Sequence, residues 1–217
     1  MRSADQVGIS GDLAIVEVMP SSVTPTVDRM NAGQVAGYSL RQTSQRLYGE
    51  ALLRAVCSVA LLAVGLILGD LGAREVGGLF IVVGILLAWD AWRRGRSGTR
   101  FKVGAIAEER VGSRLWKLEK LDWLVEHDVP KGGGGNIDHV VQSPAITFVI
   151  ETKAGGGTPR DIAQALRHAE WARRRYGGQR AIVPVLCLQH SKQRPELIDG
   201  VYRVGASHLV SFMLDKG

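Results

Sequence analysis

The chain has 217 residues, enough for one or two compact domains, and its apolar fraction of 46% excludes bulk disorder. Its formal net charge is +6, and the excess is concentrated in residues 93–217, which hold 21 basic and 13 acidic residues. Such a balance favours a polyanionic partner, either nucleic acid or an anionic membrane surface, although simple solubility accounts for the same charge. The two cysteines, Cys57 and Cys187, lack the spacing of a zinc site or a disulfide framework.

Residues 1–45 are rich in Gly, Ser, Thr, Gln and Pro and predict a disordered or weakly structured N-terminal arm. A short apolar stretch favours one strand near 13–18. We expect no signal peptide, because the first 20 residues lack a basic start followed by an apolar core. No internal repeat is apparent.

Two apolar runs follow, at 51–69 and 76–92, separated by six residues. No charged residue interrupts 55–69 or 76–89, and with their flanks both runs approach the roughly 20 residues that a membrane helix requires. Neither run has the polar stripe of an amphipathic helix. We therefore predict a transmembrane helical hairpin over 46–95. A soluble helical hairpin buried in a protein core is the alternative.

The charges that flank the hairpin predict its orientation. Arg41, Arg46 and Arg54 precede the first run, "RRGRSGTRFK" follows the second, and the intervening loop has a single Arg74 beside two acidic residues. The positive-inside rule then predicts a two-pass protein of the cell membrane with both termini in the cytoplasm. The segment 93–100 is interpreted as a basic Gly/Ser-containing linker that could touch anionic lipid headgroups.

Residues 101–217 have the pattern of a separate soluble domain. Hydrophobic periodicity predicts a helix at 103–120, strands at 123–130, 136–143 and 145–153, a helix at 160–176, a strand at 181–189 and a closing strand and helix. This order indicates the α/β class, with a small mixed central sheet flanked by helices.

Charged residues occupy two adjacent strands of this domain. Asp138 lies early in one strand, and Glu151 and Lys153 end the next and share a face because they are two residues apart. A tight antiparallel turn would bring the two carboxylates together as hard oxygen ligands for Mg²⁺, and Glu108 on the preceding helix could complete the metal shell. Lys153 could orient water or stabilise phosphate charge. Taken alone, this pattern is more typical of charges that occur by chance at strand ends than of a catalytic site.

The surrounding segments are more specific. "GAIAEE" at 104–109, "NIDHVV" at 136–141 and "FVIETK" at 148–153 closely resemble the nuclease-related domain (NERD) family, within the PD-(D/E)xK restriction-endonuclease-like superfamily. The resemblance spans about residues 101–211 and implies a restriction-endonuclease-like fold and a metal-dependent nuclease using Mg²⁺ or Mn²⁺. Ala107 stands where the family has a second Gly; Ala favours the helix but could crowd a close contact. The implied catalytic set is Glu108, Asp138, Glu151, Lys153 and Gln164, of which Glu108, Asp138 and Glu151 would bind the metal.

The helix at 160–176 predicts a nucleic-acid-binding face. Polar, basic and aromatic residues recur on it at intervals of three and four, opposite a small apolar face that would pack on the sheet. The predicted binding residues are Arg167, Trp171 and Arg175, in a stripe that also contains Gln164 and His168. A solvated helix face with one half-buried Trp is the alternative. We expect His139 to be structural, because it points away from Asp138.

These observations predict a membrane-anchored, Mg²⁺-dependent nuclease that hydrolyses DNA phosphodiester bonds on the cytoplasmic side. Its partners would be nucleic acid, with DNA expected, and the membrane, and cutting both strands of a duplex would suit a homodimer. The alternative is a catalytically inactive, membrane-tethered module that binds nucleic acid or recruits a partner. A scaffold whose basic surface only binds lipid is a third reading.

Overall fold

The structure, a computed structural model, describes residues 36–132, 135–176, 178 and 180–217. Most of the predicted arm at 1–45, including its strand near 13–18, lies outside the described residues, and its last part belongs to a helix that begins at Tyr38. The elements of the described chain, in order, are α1 (Tyr38–Asp70), α2 (Arg74–Glu119), β1 (Leu124–Pro130), β2 (Asn136–Gln142), β3 (Ile146–Lys153), α3 (Pro159–Tyr176), β4 (Ala181–Leu188), β5 (Glu196–Ile198), β6 (Val201–Gly205) and α4 (Leu209–Lys216).

The two long N-terminal helices form an antiparallel hairpin, as the apolar runs predicted. Within the part of the chain that the structure describes, both are long and apolar enough to cross a membrane, and only 17% of the most apolar window of each is buried. Helix α1 begins at Tyr38, earlier than the predicted hairpin boundary at 46. The prediction of a linker at 93–100 was wrong. These residues are helical, and α2 continues without a break from the apolar segment into the C-terminal domain.

Small residues at seven-residue intervals explain this continuity. These residues lie on the buried face of α2 from the apolar run to the domain, and they meet small residues of α1 that are fourteen and seven residues apart. A Cβ atom on Gly77 would lie 2.6 Å from the Gly65 carbonyl oxygen, so the two backbones are in direct contact. Gly98, which the sequence suggests is a linker residue, is one of these contacts. The seam consists of Gly77, Gly84, Ala91, Gly98 and Ala105 on α2 and Ser44, Ser58 and Gly65 on α1.

Side-chain hydrogen bonds reinforce the seam at two levels. The Ser58 hydroxyl donates to the Gly84 carbonyl at 2.8 Å, and the Ser44 hydroxyl donates to the Gly98 carbonyl at 3.0 Å. Close backbone approach over small residues, with hydroxyls bonded across the interface, is how helices associate within lipid. The seven-residue repeat was missed in the sequence because its members are not the hydrophobic residues that usually mark a heptad.

Charged residues at the end of the apolar segment pair across the hairpin. Arg54 contacts Asp90 at 2.8 Å, and Arg94 contacts both Asp90 at 2.9 Å and Glu50 at 2.6 Å. Trp89 and Trp92 lie beside this group with ring centroids 5.1 Å apart. Paired charges next to tryptophans are typical of the boundary between an apolar span and an aqueous phase.

A mixed six-stranded sheet forms the centre of the described C-terminal domain, in the order β1-β2-β3-β4-β6-β5. Strands β1, β2 and β3 are antiparallel, β3 and β4 are parallel, and α3 makes the crossover between them. The core on one face joins α2, the sheet and α4 through residues such as Leu115, Phe148 and Met213. Sheet and helices confirm the predicted α/β fold class; the three-residue strand β5 is too short to have been predicted.

Helix α3 covers the other face of the sheet. Thr158 and Asp161 cap its N-terminus reciprocally, since the Asp161 carboxylate accepts from the Thr158 N–H at 2.8 Å and from its hydroxyl at 2.7 Å. Pro159 is the first helical residue, where its missing N–H is not needed. The face toward the sheet carries Ala165, Ala169 and Ala172, all buried, and these small side chains bring α3 close to β3.

Candidate active site

Strand register brings Asp138 and Glu151 together. His139 on β2 pairs with Ile150 on β3, and one further step along this antiparallel register places Asp138 opposite Glu151. The Asp138 carboxylate accepts a 2.6 Å hydrogen bond from the Thr152 N–H. Burial, and then the negative charges of Glu151 and Glu108, raise the pKa of Asp138 well above its ordinary value. The predicted proximity of these carboxylates is therefore present in the fold.

Glu151 is the best-connected carboxylate of the site. It is almost fully buried, and its Oε1 atom accepts from the Lys153 ammonium and from the Gln164 side-chain amide, both at 2.7 Å. Gln164 reaches it because the capped first turn and the small inner face of α3 hold the helix against β3. The Lys153 ammonium also lies 3.6 Å from an Asp161 carboxylate oxygen, and it donates to the side-chain amide oxygen of Gln164 at 3.4 Å. Of the residues that the family resemblance implied, Lys153 and Gln164 therefore both contact Glu151.

Burial and charge have opposite effects on Lys153. Burial by itself would lower the pKa of its ammonium, but the charge and hydrogen bond of Glu151, with Asp138 and Asp161, outweigh burial and raise that pKa above its ordinary value. The Lys153 side chain is 29% exposed, so an anionic ligand can reach it from solvent, and the raised pKa keeps its ammonium charged. A fixed cation beside a carboxylate is suited to stabilise charge that develops on a phosphate.

Glu108 comes to the site from α2. Its side chain is buried, and burial, followed by the charges of Asp128 and Glu151, raises its pKa to about 8. These interactions place Glu108 within the same electrostatic cluster as Asp138 and Glu151. At neutral pH the cluster holds protons that a cation would displace, because metal ligands bind in the deprotonated form.

The donor chemistry of the cluster fits a hard divalent cation. Carboxylate oxygens are the ligands that Mg²⁺ prefers, and the Oε2 atom of Glu151 is buried without a hydrogen-bond partner among the described residues. In the arrangement described, however, Lys153 and Gln164 occupy Oε1. Over residues 36–217, the four undescribed positions aside, no three His, Cys, Asp or Glu side chains stand close enough together to hold a metal ion. Ligation would require Glu108, Asp138 and Glu151 to move closer together.

His168 was missed as a site residue and belongs to the site. The sequence places it in the polar stripe of α3, but the structure buries it with the alanines of the inner face, and its Nδ1 atom lies 3.0 Å from Glu151 Oε2. The contact is close, although its angles do not make a hydrogen bond. The available signal was its spacing, four residues after Gln164, which puts both side chains on one face of the helix.

The predicted nucleic-acid-binding residues lie on the outer part of α3. Arg167 and Arg175 are exposed, whereas Trp171 is half-buried against the core formed by β1, β2 and β3. The Arg175 guanidinium lies over the Trp171 ring, 5.4 Å from its centroid. The arginines are free to contact phosphates, while the Trp171 ring is already partly covered and has less surface for stacking on a base.

His139 occupies the opposite side of β2 from Asp138, as predicted from strand alternation. It is fully buried, and its Nδ1 atom lies 2.7 Å from Nδ1 of His127 on β1. Burial lowers the pKa of His127 to about 4, and burial with the neighbouring His127 lowers that of His139. The two rings form a neutral, edge-to-face pair within the sheet, which is a structural arrangement.

Three comparisons with known proteins concern the sequence and the fold of the chain. No curated protein sequence matches the chain. One solved structure, the crystal structure of a repair endonuclease from Pyrococcus abyssi, aligns with 15% identity and a TM-score of 0.32, covering 48% of this chain and 42% of that protein. The chain thus spans less than half of that endonuclease. The family model described as NERD, nuclease-related domain, matches residues 103–205, the region that holds the whole carboxylate cluster, and this part of the chain is therefore similar to a nuclease-related domain.

Proposed function

We propose that this protein is a membrane-anchored, divalent-metal-dependent nuclease that hydrolyses DNA phosphodiester bonds at the cytoplasmic face of the cell membrane. One observation carries the proposal: Glu151 accepts from Lys153 and Gln164 while Asp138 faces it across the β2–β3 ladder. The match to the nuclease-related domain, whose name implies such chemistry, covers this cluster and supports the proposal.

The residues of the cluster have separable roles in this proposal. Asp138, Glu151 and Glu108 would hold Mg²⁺ or Mn²⁺, and the bound cation supplies Lewis-acid polarisation of the scissile phosphate and acidification of water. Lys153, whose raised pKa keeps it protonated, stabilises the negative charge that develops on the phosphate oxygens. Gln164 fixes the Glu151 carboxylate through its 2.7 Å hydrogen bond. Arg167 and Arg175 contact backbone phosphates of the substrate.

The membrane anchor rests on the exposure of the hairpin. Large apolar side chains along α1 and α2 are more than half exposed, among them Leu52, Val59, Leu66, Leu79 and Leu86. Lipid is the medium that such a surface prefers. The basic residues lie beyond the paired charges at one end of the hairpin, which supports two passes with both termini, and so the nuclease-related domain, in the cytoplasm.

Cleavage by the full-length chain in detergent micelles tests the proposal. Labelled single- and double-stranded DNA, and RNA for comparison, are incubated with Mg²⁺, Mn²⁺ or EDTA. We expect metal-dependent DNA cleavage that is lost in Lys153→Ala and retained in Lys192→Ala, an exposed lysine outside the cluster.

The same assay separates the alternatives. Full activity in Lys153→Ala would refute the assigned centre. Salt-sensitive binding without cleavage would instead support the inactive, membrane-tethered binding module. A cleavage rate that depends on the square of the protein concentration would support a homodimer.

A further inference from the structure

The N-terminal turn of α1 packs on the nuclease-related domain beside the carboxylate cluster. Gly37 has a left-handed backbone (φ 73°), and a Cβ atom there would lie 2.7 Å from the Ala105 carbonyl oxygen of α2. The Arg41 guanidinium donates to Glu109 of α2 at 2.6 Å. Ala105 and Glu109 flank Glu108 along α2, so α1 braces this helix on both sides of the site residue.

Ser39 ties the same turn to β1. Its N–H and its hydroxyl donate to the two oxygens of Asp128 at 3.1 Å and 2.9 Å, and the Asn136 side chain donates to Asp128 at 2.7 Å. Asp128 itself has φ 50°, a conformation that a residue with a side chain rarely adopts. Such strain persists where surrounding contacts over-determine the backbone, and here three donors hold the carboxylate.

Asp128 occupies a position next to the site. His127 pairs with His139 and Val129 pairs with Ile137, so Asp128 lies between these two pairs, at the level of Asp138 in the β1–β2 ladder. Asp138 in turn lies at the level of Glu151. Three acidic residues, one each on β1, β2 and β3, therefore lie at one level of the sheet, and α1 holds the outer one.

We propose that Gly37, Ser39 and Arg41, here called the α1 clamp, are part of the nuclease site, and that Asp128 is the positioning residue through which the clamp aligns Glu108 and Asp138. The inference rests on the proposed function, and it adds that DNA cleavage depends on the membrane hairpin. A nuclease-related domain released from α1 would lose the donors to Asp128 and the packing on Ala105. The site is complete only when the first helix of the hairpin is in place.

Two glycines at opposite ends of α1 provide a matched test. Gly37 and Gly72 both have left-handed backbones, at φ 73° and 91°, so alanine strains both. A Cβ atom clashes with Ala105 only at Gly37, since the space around Gly72 is open. In the full-length chain in micelles, we expect Gly37→Ala to lower the single-turnover rate constant for DNA cleavage at least tenfold and to raise the Mg²⁺ concentration for half-maximal rate. The Kd for DNA stays within about twofold, because α3 is untouched.

A second pair keeps the inference testable if Gly37→Ala fails to fold. Asp128→Asn keeps the size of the side chain and should give the same loss of rate at unchanged DNA affinity. Asp199→Asn, at another aspartate with positive φ (48°) that is exposed near β5, should not. Ser39→Thr should restore the rate that Ser39→Ala loses, because it restores the donated hydroxyl.

Equal cleavage by Asp128→Asn and the wild-type chain would overturn the clamp while leaving the proposed function intact. An equal loss of the cleavage rate constant in Gly37→Ala and Gly72→Ala would also overturn the clamp. A wild-type chain that does not cleave DNA with any metal would overturn both the proposed function and the clamp.

Discussion

At the residue scale, the site is built around the two oxygens of Glu151. One accepts from Lys153 and Gln164, and the other lies buried beside His168 without a hydrogen bond. The convergence of Asp138, Glu151 and Lys153 could be predicted, because alternation along strands and a tight antiparallel turn fix which side chains meet. Asp128 and Ser39 could not be predicted, because their contact joins residues that are far apart in the chain through a register visible only in the fold.

The raised pKa of Glu108 leads to a prediction about stability. The folded chain keeps this proton up to about pH 8, whereas the unfolded chain releases it near 4.5. Between these values the folded state binds more protons, so the free energy of unfolding falls as pH rises, by about 1.4 kcal/mol for each unit of pKa difference. Glu108→Gln removes the contribution of Glu108 to this slope and leaves that of Asp138, so we expect the variant to be more stable than wild type at pH 8.5 and similar at pH 4.

Thermal unfolding of the full-length chain in EDTA, followed at both pH values, measures this difference. Glu170→Gln serves as the control, because its side chain is 67% exposed and its replacement should leave the pH slope unchanged. The same pH slope in wild type, Glu108→Gln and Glu170→Gln would show that Glu108 is not held protonated by the cluster.

At the scale of elements, the sequence predicts most helices and strands but not how α2 continues. The N-terminal part of α2 is an apolar run, whereas its C-terminal part has the hydrophobic periodicity of a helix in a soluble domain. The Gly and Ser residues between the two parts suggest a linker. In the fold the same small residues are the contact surface between α1 and α2, as at Gly98, where the carbonyl accepts from Ser44. Small residues carry no hydrophobic signal, so only their seven-residue spacing could have indicated that the helix continues.

Neighbouring glycines test this seam. A Cβ atom on Gly77 would lie 2.6 Å from the Gly65 carbonyl oxygen and 2.9 Å from the Gly69 nitrogen, whereas Gly78 has open space around it. We expect Gly77→Ala to destabilise the hairpin by about 1–3 kcal/mol, because backbone atoms cannot yield as side chains do. Gly78→Ala should be neutral or stabilising by up to about 1 kcal/mol, since Ala favours a helix. Thermal unfolding in micelles measures both, and equal stability of the two variants would contradict the seam.

At the scale of the whole molecule, one helix connects the apolar hairpin to the candidate site. Glu108 lies in α2 eighteen residues beyond Asp90, which is paired at the end of the apolar segment. At 1.5 Å per residue, the site stands about 27 Å along the helix axis from that level. The helical connection, in place of the predicted linker, means that the nuclease-related domain would be held at a defined distance from the membrane rather than tethered loosely.

The proposed topology predicts which positions water-soluble thiol reagents can reach. In intact cells, a cysteine placed at Gly72, in the turn between α1 and α2, should react with a membrane-impermeant maleimide. A cysteine placed at the exposed Lys192 should react only after the cells are opened. Cys57, exposed on the lipid-facing part of α1, should stay unlabelled in both cases because lipid excludes the reagent. Labelling of Lys192→Cys in intact cells would reverse the assigned orientation.

The central claim is that the buried carboxylate of Glu151 is the core of a metal-dependent nuclease centre. The most direct test is single-turnover cleavage of a labelled DNA duplex by the full-length chain across a range of Mg²⁺ concentrations, with DNA affinity measured in parallel, for wild type and Glu151→Gln. We expect saturable Mg²⁺ dependence for wild type and a loss of cleavage of about a hundredfold or more in Glu151→Gln at unchanged DNA affinity. Cleavage by Glu151→Gln at the wild-type rate, with the same Mg²⁺ dependence, would contradict this claim.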